Sequence, residues 1–125
     1  MRRTLQIIIG VGGVAAVLIA LLHIILGPAT IPGSIPVNAT MDSEDRFYAT
    51  IFLAYGLALI WCVRDIETKR RVLWFLTITF FTGGIARIIS ALSVGLPHPF
   101  FINMTLLELS LPILIFILLR KLPNG

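Results

Sequence analysis

From Leu5 to Leu26 the sequence runs without one charged side chain. At 1.5 Å of helical rise per residue, roughly 20 apolar residues cross the hydrocarbon core of a bilayer. Three further apolar runs follow, Phe47 to Val63, Val72 to Val94 and Phe101 to Leu119, separated by short polar connections. Hydrophobic residues make up 58% of the chain and charged residues 13%, about half the usual soluble fraction of charge. A soluble protein of this length has no interior large enough to hide so much apolar side chain. The expected fold is therefore all-α: a four-transmembrane-helix antiparallel bundle, one integral membrane domain over residues 1–125. Its helices fall at about 5–26, 43–63, 72–94 and 101–119.

The start of the chain superficially resembles a signal peptide, with Arg2 and Arg3 before an apolar run. That run is too long for a typical signal core, and Gly27-Pro28 opens no small-x-small cleavage site, so a retained helix is expected. Gly27-Pro28 should end it, because proline cannot continue the ladder. On this helix Gly13, Ala16, Ala20 and His23 recur every three or four residues and share one face, where small residues let a neighbouring helix approach.

Gly27 to Tyr48 is the longest polar interruption, and Asp42, Glu44 and Asp45 supply half of the acidic residues. Asp42 or Ser43 is the expected N-cap of the second helix, with Glu44 and Asp45 favoured at the positive end of its dipole.

The net charge of +4 matters less than where the cations sit. Arg2 and Arg3, then Arg64, Lys69, Arg70 and Arg71, then Arg120 and Lys121 occupy the two termini and the second connection. The connections 27–45 and 95–100 hold no Lys or Arg. This asymmetry predicts that both termini are cytoplasmic. The same clustering beside apolar runs excludes nucleic acid as a partner. A single Cys62 excludes an internal disulfide, and beside Trp61 it reads as a small apolar residue.

Arg87 and Glu108 lie deepest in apolar sequence. Arg87 comes eight residues before Gly95 and Glu108 eight after Phe100, so helices joined by this turn bring both to a similar depth, about 12 Å from the turn. A lone charge there costs several kcal/mol, and an ion pair inside the bundle is expected. Gly84 and Ala91 share the face of Arg87, and Ser90 lies within reach of it. Pro112 cannot bond the carbonyl of Glu108.

The remaining polar side chains fall on the outer half: His23, Glu44, Arg46, Tyr48, His98. An outward-facing polar pocket is the natural inference, since a ligand site needs a few placed polar groups in an apolar lining. Its candidate residues are His23, Glu44, Arg46, Tyr48, Tyr55, Arg87, His98 and Glu108, with Phe101 in the apolar wall. His23, Glu44, His98 and Glu108 lack the spacing of a metal site, so no metal and no cofactor is expected.

The segments GPATIPGSIPVNATMDSEDRFY, FLAYGLAL, FFTGGIARIIS, GLPHPFF and LLELSLP together resemble a bacterial family of small four-helix membrane proteins, the domain-of-unknown-function family DUF4345. The family's characteristic positions correspond to Pro32, Gly33, Asn38, Asp42, Ser43, Glu44, Arg46, Tyr48, Tyr55, Gly84, Arg87, Pro97, His98 and Glu108. The resemblance implies a multi-pass protein of the bacterial inner membrane. It implies no activity, cofactor or catalytic residue.

The leading expectation is a non-catalytic protein that binds a membrane lipid or small hydrophobic amphiphile, or serves as accessory subunit of a larger membrane complex or homo-oligomer. Glu44, Arg46, Arg87 and Glu108 would orient the polar head, and Tyr48, Tyr55 and Phe101 would line the apolar part. The alternative is a small integral-membrane enzyme on a lipid or hydrophobic substrate. There Glu108 or His23 would be acid or base and Arg87 would stabilise developing negative charge.

Overall fold

A computed structural model describes residues 2–122; the last three residues of the C-terminal tail lie outside the described residues. The chain is all-α. Helix α1 spans Arg2–Leu26, α2 Ala39–Cys62, α3 Arg70–Val94 and α4 Pro99–Lys121, with a 3-10 turn at Gly27–Thr30. Every helix begins earlier than its apolar run: polar residues supply the added start of α1, α2 and α3, and Pro99 and Phe100 that of α4.

Local chemistry sets the ends. Gly27 leaves α1 with φ of 76°, a left-handed conformation that a side chain resists. Pro28 then starts the 3-10 turn, closed where Thr30 Oγ1 donates to the carbonyl of Gly27 at 3.1 Å. The expected cap on α2 is corrected: Asn38, not Asp42 or Ser43, accepts the backbone N–H of Met41 at 2.8 Å, so the helix starts at Ala39. Asp42 is committed to Arg46 instead. At α4, His98 Nδ1 accepts the backbone N–H of Phe100 at 3.1 Å, and Pro99 fills the first helical position, where its missing N–H costs nothing.

The chain divides into two compact units. One is Ile7–Arg64, which holds most of α1, the 3-10 turn and α2; the other joins the first residues of the chain to everything from Asp65 onward.

In the first unit α1 meets α2 through small residues. Gly13, Ala16 and Ala20 are buried on α1, and Ala49, Gly56 and Leu59 on α2. The approach is backbone to backbone. A Cβ on Gly56 would lie 2.8 Å from the carbonyl oxygen of Gly13, and a Cβ on Gly13 would lie 2.9 Å from that of Gly56.

In the second unit α3 and α4 form a hairpin with Leu73, Leu76, Thr77 and Gly84 facing inward on one side. Glu108, Pro112, Ile115, Leu118 and Leu119 are buried on the other. Trp74 packs edge-on against Phe116, ring centroids 4.9 Å apart. Arg70 reaches across to the end of α4, where its Nη1 donates to the carbonyl of Leu119 at 2.7 Å and its Nη2 to that of Leu122 at 3.3 Å. Arg2 pairs with Glu67 at 2.8 Å, which ties the chain's first turn to the connection before α3.

The remaining helix faces are apolar and exposed, among them Val11, Ile25, Phe75, Ile89 and Leu106. The hydroxyls of Thr79, Thr82 and Ser110, exposed on these faces, bond back to the carbonyls of Phe75, Ile78 and Leu106. Such back-bonding removes their polar demand and suits a lipid-facing surface. Helices α1, α3 and α4 are long and apolar enough to cross a membrane, yet only 22%, 22% and 28% of their most apolar stretches is buried. So much exposed apolar surface suits a lipid environment. Helix α2 does not reach that mark, because its first two turns carry Asp42, Glu44, Asp45 and Arg46. The chain is a multi-span helical membrane protein.

Candidate functional site

Two polar clusters stand out, one in each unit. In the unit Ile7–Arg64, α1 ends beside the first turns of α2. Arg46 Nε donates to Asp42 Oδ1 at 2.7 Å, and its Nη1 donates to the carbonyls of Ile24 at 2.8 Å and Ile25 at 3.3 Å. Those carbonyls belong to the last turn of α1, where no backbone donor remains. The arginine therefore caps α1, and Asp42, one turn before it on α2, aims the guanidinium. A Cβ on Gly27 would meet Arg46 Nη2 at 2.8 Å and Asp42 Oδ2 at 2.9 Å, so this glycine serves both the turn and the space the cap needs. His23 Nδ1 lies 3.0 Å from Asp45 Oδ2, with both side chains about one-fifth exposed. The Arg46 guanidinium at the C-terminus of α1 and the carboxylates near the N-terminus of α2 each match the adjoining helix dipole. The cluster fastens the end of α1 to the start of α2.

In the second unit Arg87 Nε donates to Glu108 Oε1 at 2.5 Å. Glu108 is buried, its side chain 9% exposed, whereas that of Arg87 is 38% exposed. Gly84 makes room for this pair indirectly: a Cβ there would lie 2.9 Å from a methyl of Leu109 and 3.2 Å from Cβ of Glu108. The space at Gly84, on the face of Arg87, is taken up by the close approach of α4. Arg87 Cζ sits 5.2 Å from the centroid of Phe101, a cation–π arrangement. The expected hydroxyl contact from Ser90 is also corrected, because Ser90 is exposed and bonds to neither member of the pair. Only the Nε edge of Arg87 is used; its two Nη groups have no hydrogen-bond partner among the described residues.

The other sequence candidates take humbler places. Glu44 and Tyr48 are exposed, and Tyr48 touches Phe47 edge-on. Tyr55 is half-buried and stacks with Phe52, centroids 6.0 Å apart. His98 is the cap of α4. Among the described residues no three His, Cys, Asp or Glu side chains stand close enough to hold a metal. The sequence reading did not single out Asp42 and Asp45 as partners of Arg46 and His23. The available signal was complementary charge at two helix ends joined by one connection.

The model of the domain of unknown function DUF4345 matches residues 4–119. No curated protein and no solved structure matches the chain.

Proposed function

Since the chain belongs to the DUF4345 family, whose description assigns no activity, we propose from its own residues that it is a non-catalytic membrane protein that binds the polar head of a lipid or small amphiphile on the α3–α4 hairpin. One observation carries this reading. Arg87 is held through Nε alone, with its Nη edge uncommitted, the one charged side chain of α3 beyond its first turn, about 12 Å from the α3–α4 turn. Inside a bilayer four N–H donors at that depth need acceptors. A head group rich in oxygen supplies them, Glu108 fixes the guanidinium, and Phe101 floors the site. His23 and Arg46 have structural partners of their own, so they hold α1 to α2 rather than contact the ligand. Gently extracted protein, weighed by native mass spectrometry, is expected to retain an amphiphile that the folded Arg87→Leu/Glu108→Leu double variant has lost. Wild-type protein with no adduct, or a double variant that keeps it, overturns the reading. Retention of a protein partner at the same residues would instead favour an accessory subunit.

The same reading sets the chain in the bacterial inner membrane as a four-crossing antiparallel bundle with cytoplasmic termini. Its support is the placement of eight of the ten Lys and Arg residues at the termini and the 63–71 connection. Helix α2 crosses with its Phe47–Val63 run, at the short end of the usual range of about 17–25 residues, its charged turns standing in the interface. Single cysteines at positions 4 and 35 of the Cys62→Ala chain check this: an impermeant thiol reagent on intact cells is expected to label position 35 alone, and labelling of position 4 would refute it.

A further inference from the structure

We propose that the charged end of the α3–α4 hairpin binds an anionic glycerophospholipid, its phosphate on Arg71 and Arg120 and its acyl chains against Trp74 and Phe116. This site lies at the far end of the two helices from their connecting turn, and it does not rest on the role given to Arg87.

The arrangement has two tiers. Arg71 falls in the first turn of α3 and Arg120 in the last turn of α4. Trp74 follows Arg71 by three residues and Phe116 precedes Arg120 by four, so each aromatic shares its cation's face one turn deeper along the helix. The two aromatics touch, with rings at 73°. Arg120 Cζ lies 5.7 Å from the centroid of Phe116, which orients the guanidinium above the ring. One turn is about 5.4 Å, close to the step from phosphate to the top of the acyl chains. Trp at that level is a typical interfacial residue, its body apolar and its N–H wet.

Charge complementarity selects the occupant. Arg3, Arg71, Arg120 and Lys121 are exposed and have no carboxylate partner among the described residues. The carboxylates in this part of the chain are Asp65 and Glu67, and Glu67 is taken by Arg2. A helix C-terminus ordinarily repels an anion. Here Arg70 covers the carbonyls of Leu119 and Leu122, so that repulsion is offset and the end of α4 is fixed against α3. A zwitterionic head group would bring its own cation into this field, whereas an anionic one brings none.

Trp74 gives the test its readout. The Trp61→Phe chain, reconstituted in phosphatidylcholine bilayers, contains Trp74 as its single tryptophan. Acyl-brominated phosphatidylglycerol is expected to quench it at a several-fold lower mole fraction than brominated phosphatidylcholine, since each juxtamembrane cation contributes about 5-fold to anionic-lipid binding. The preference should fall toward unity in Arg71→Gln/Arg120→Gln and survive in Arg71→Lys/Arg120→Lys, which keeps the charge and guards against a folding defect. It should also survive in Arg87→Leu/Glu108→Leu, so that loss of the outer site is told apart from loss of this one. Equal quenching by the two lipids, or a preference unchanged in the Gln variant, overturns the proposal.

Discussion

Glu108→Leu is expected to destabilise the α3–α4 hairpin by about 2–3 kcal/mol, measured as a lowered unfolding midpoint in detergent micelles. Breaking a fully buried ion pair costs about 3–5 kcal/mol because the surviving charge is left without its partner. The lower figure applies here because the Arg87 side chain is 38% exposed and can reach water or head groups. Arg87→Leu is expected to lower the midpoint as well, because it leaves the buried carboxylate of Glu108 without its donor. The double variant Arg87→Leu/Glu108→Leu is expected to recover most of the loss, because an apolar pair of similar reach suits this environment. A double variant as unstable as Glu108→Leu would show that the two residues do not act as a pair. The recovered variant also separates folding from binding: if the pair exists for a ligand, it folds and binds nothing.

Gly56→Val should be equally damaging for a different physical reason. The Cβ meets the Gly13 carbonyl oxygen at 2.8 Å and Ala16 Cβ at 3.0 Å, and a backbone oxygen cannot swing aside as a long side chain can. Helices α1 and α2 must separate, at a cost of about 2–3 kcal/mol typical of overpacking. Gly12 and Gly83 are the controls, since a Cβ on either meets nothing within 4 Å. Gly12→Ala and Gly83→Ala are therefore expected to raise the midpoint slightly, by up to about 1 kcal/mol of helix propensity. If Gly56→Val melts with the wild type, the close approach of α1 and α2 is wrong.

The sequence made contacts legible wherever counting works. Arg87 and Glu108 could be paired because a short turn joins their helices, so equal residue counts imply equal depth. Gly13, Ala16 and Ala20 could be assigned one face because 3.6 residues make a turn. Counting failed across the 27–38 connection, whose three prolines fix no single path. His23 finds Asp45 and Ile24 finds Arg46, each 22 residues along, and no period announces either. The misplaced cap has the same origin: Asp42 is a good capping residue by type, and only its long-range company shows that it serves Arg46. Gly56 was hidden in FLAYGLAL because a single glycine says nothing about what crosses it. The eight candidate ligand residues were grouped by presumed depth alone, a coordinate that cannot tell a committed side chain such as Arg46 from one with a free edge such as Arg87.

The arginine that closes α1 lies on the next helix, and this has a consequence for biogenesis. While the ribosome is still making the 27–38 connection, the carbonyls of Ile24 and Ile25 have no donor from the protein. Their partner arrives only when Arg46 is synthesised, one turn after Asp42, which pairs with it in the folded chain. A chain ending before that point is therefore expected to lack the side-chain cap that closes α1 in the folded protein.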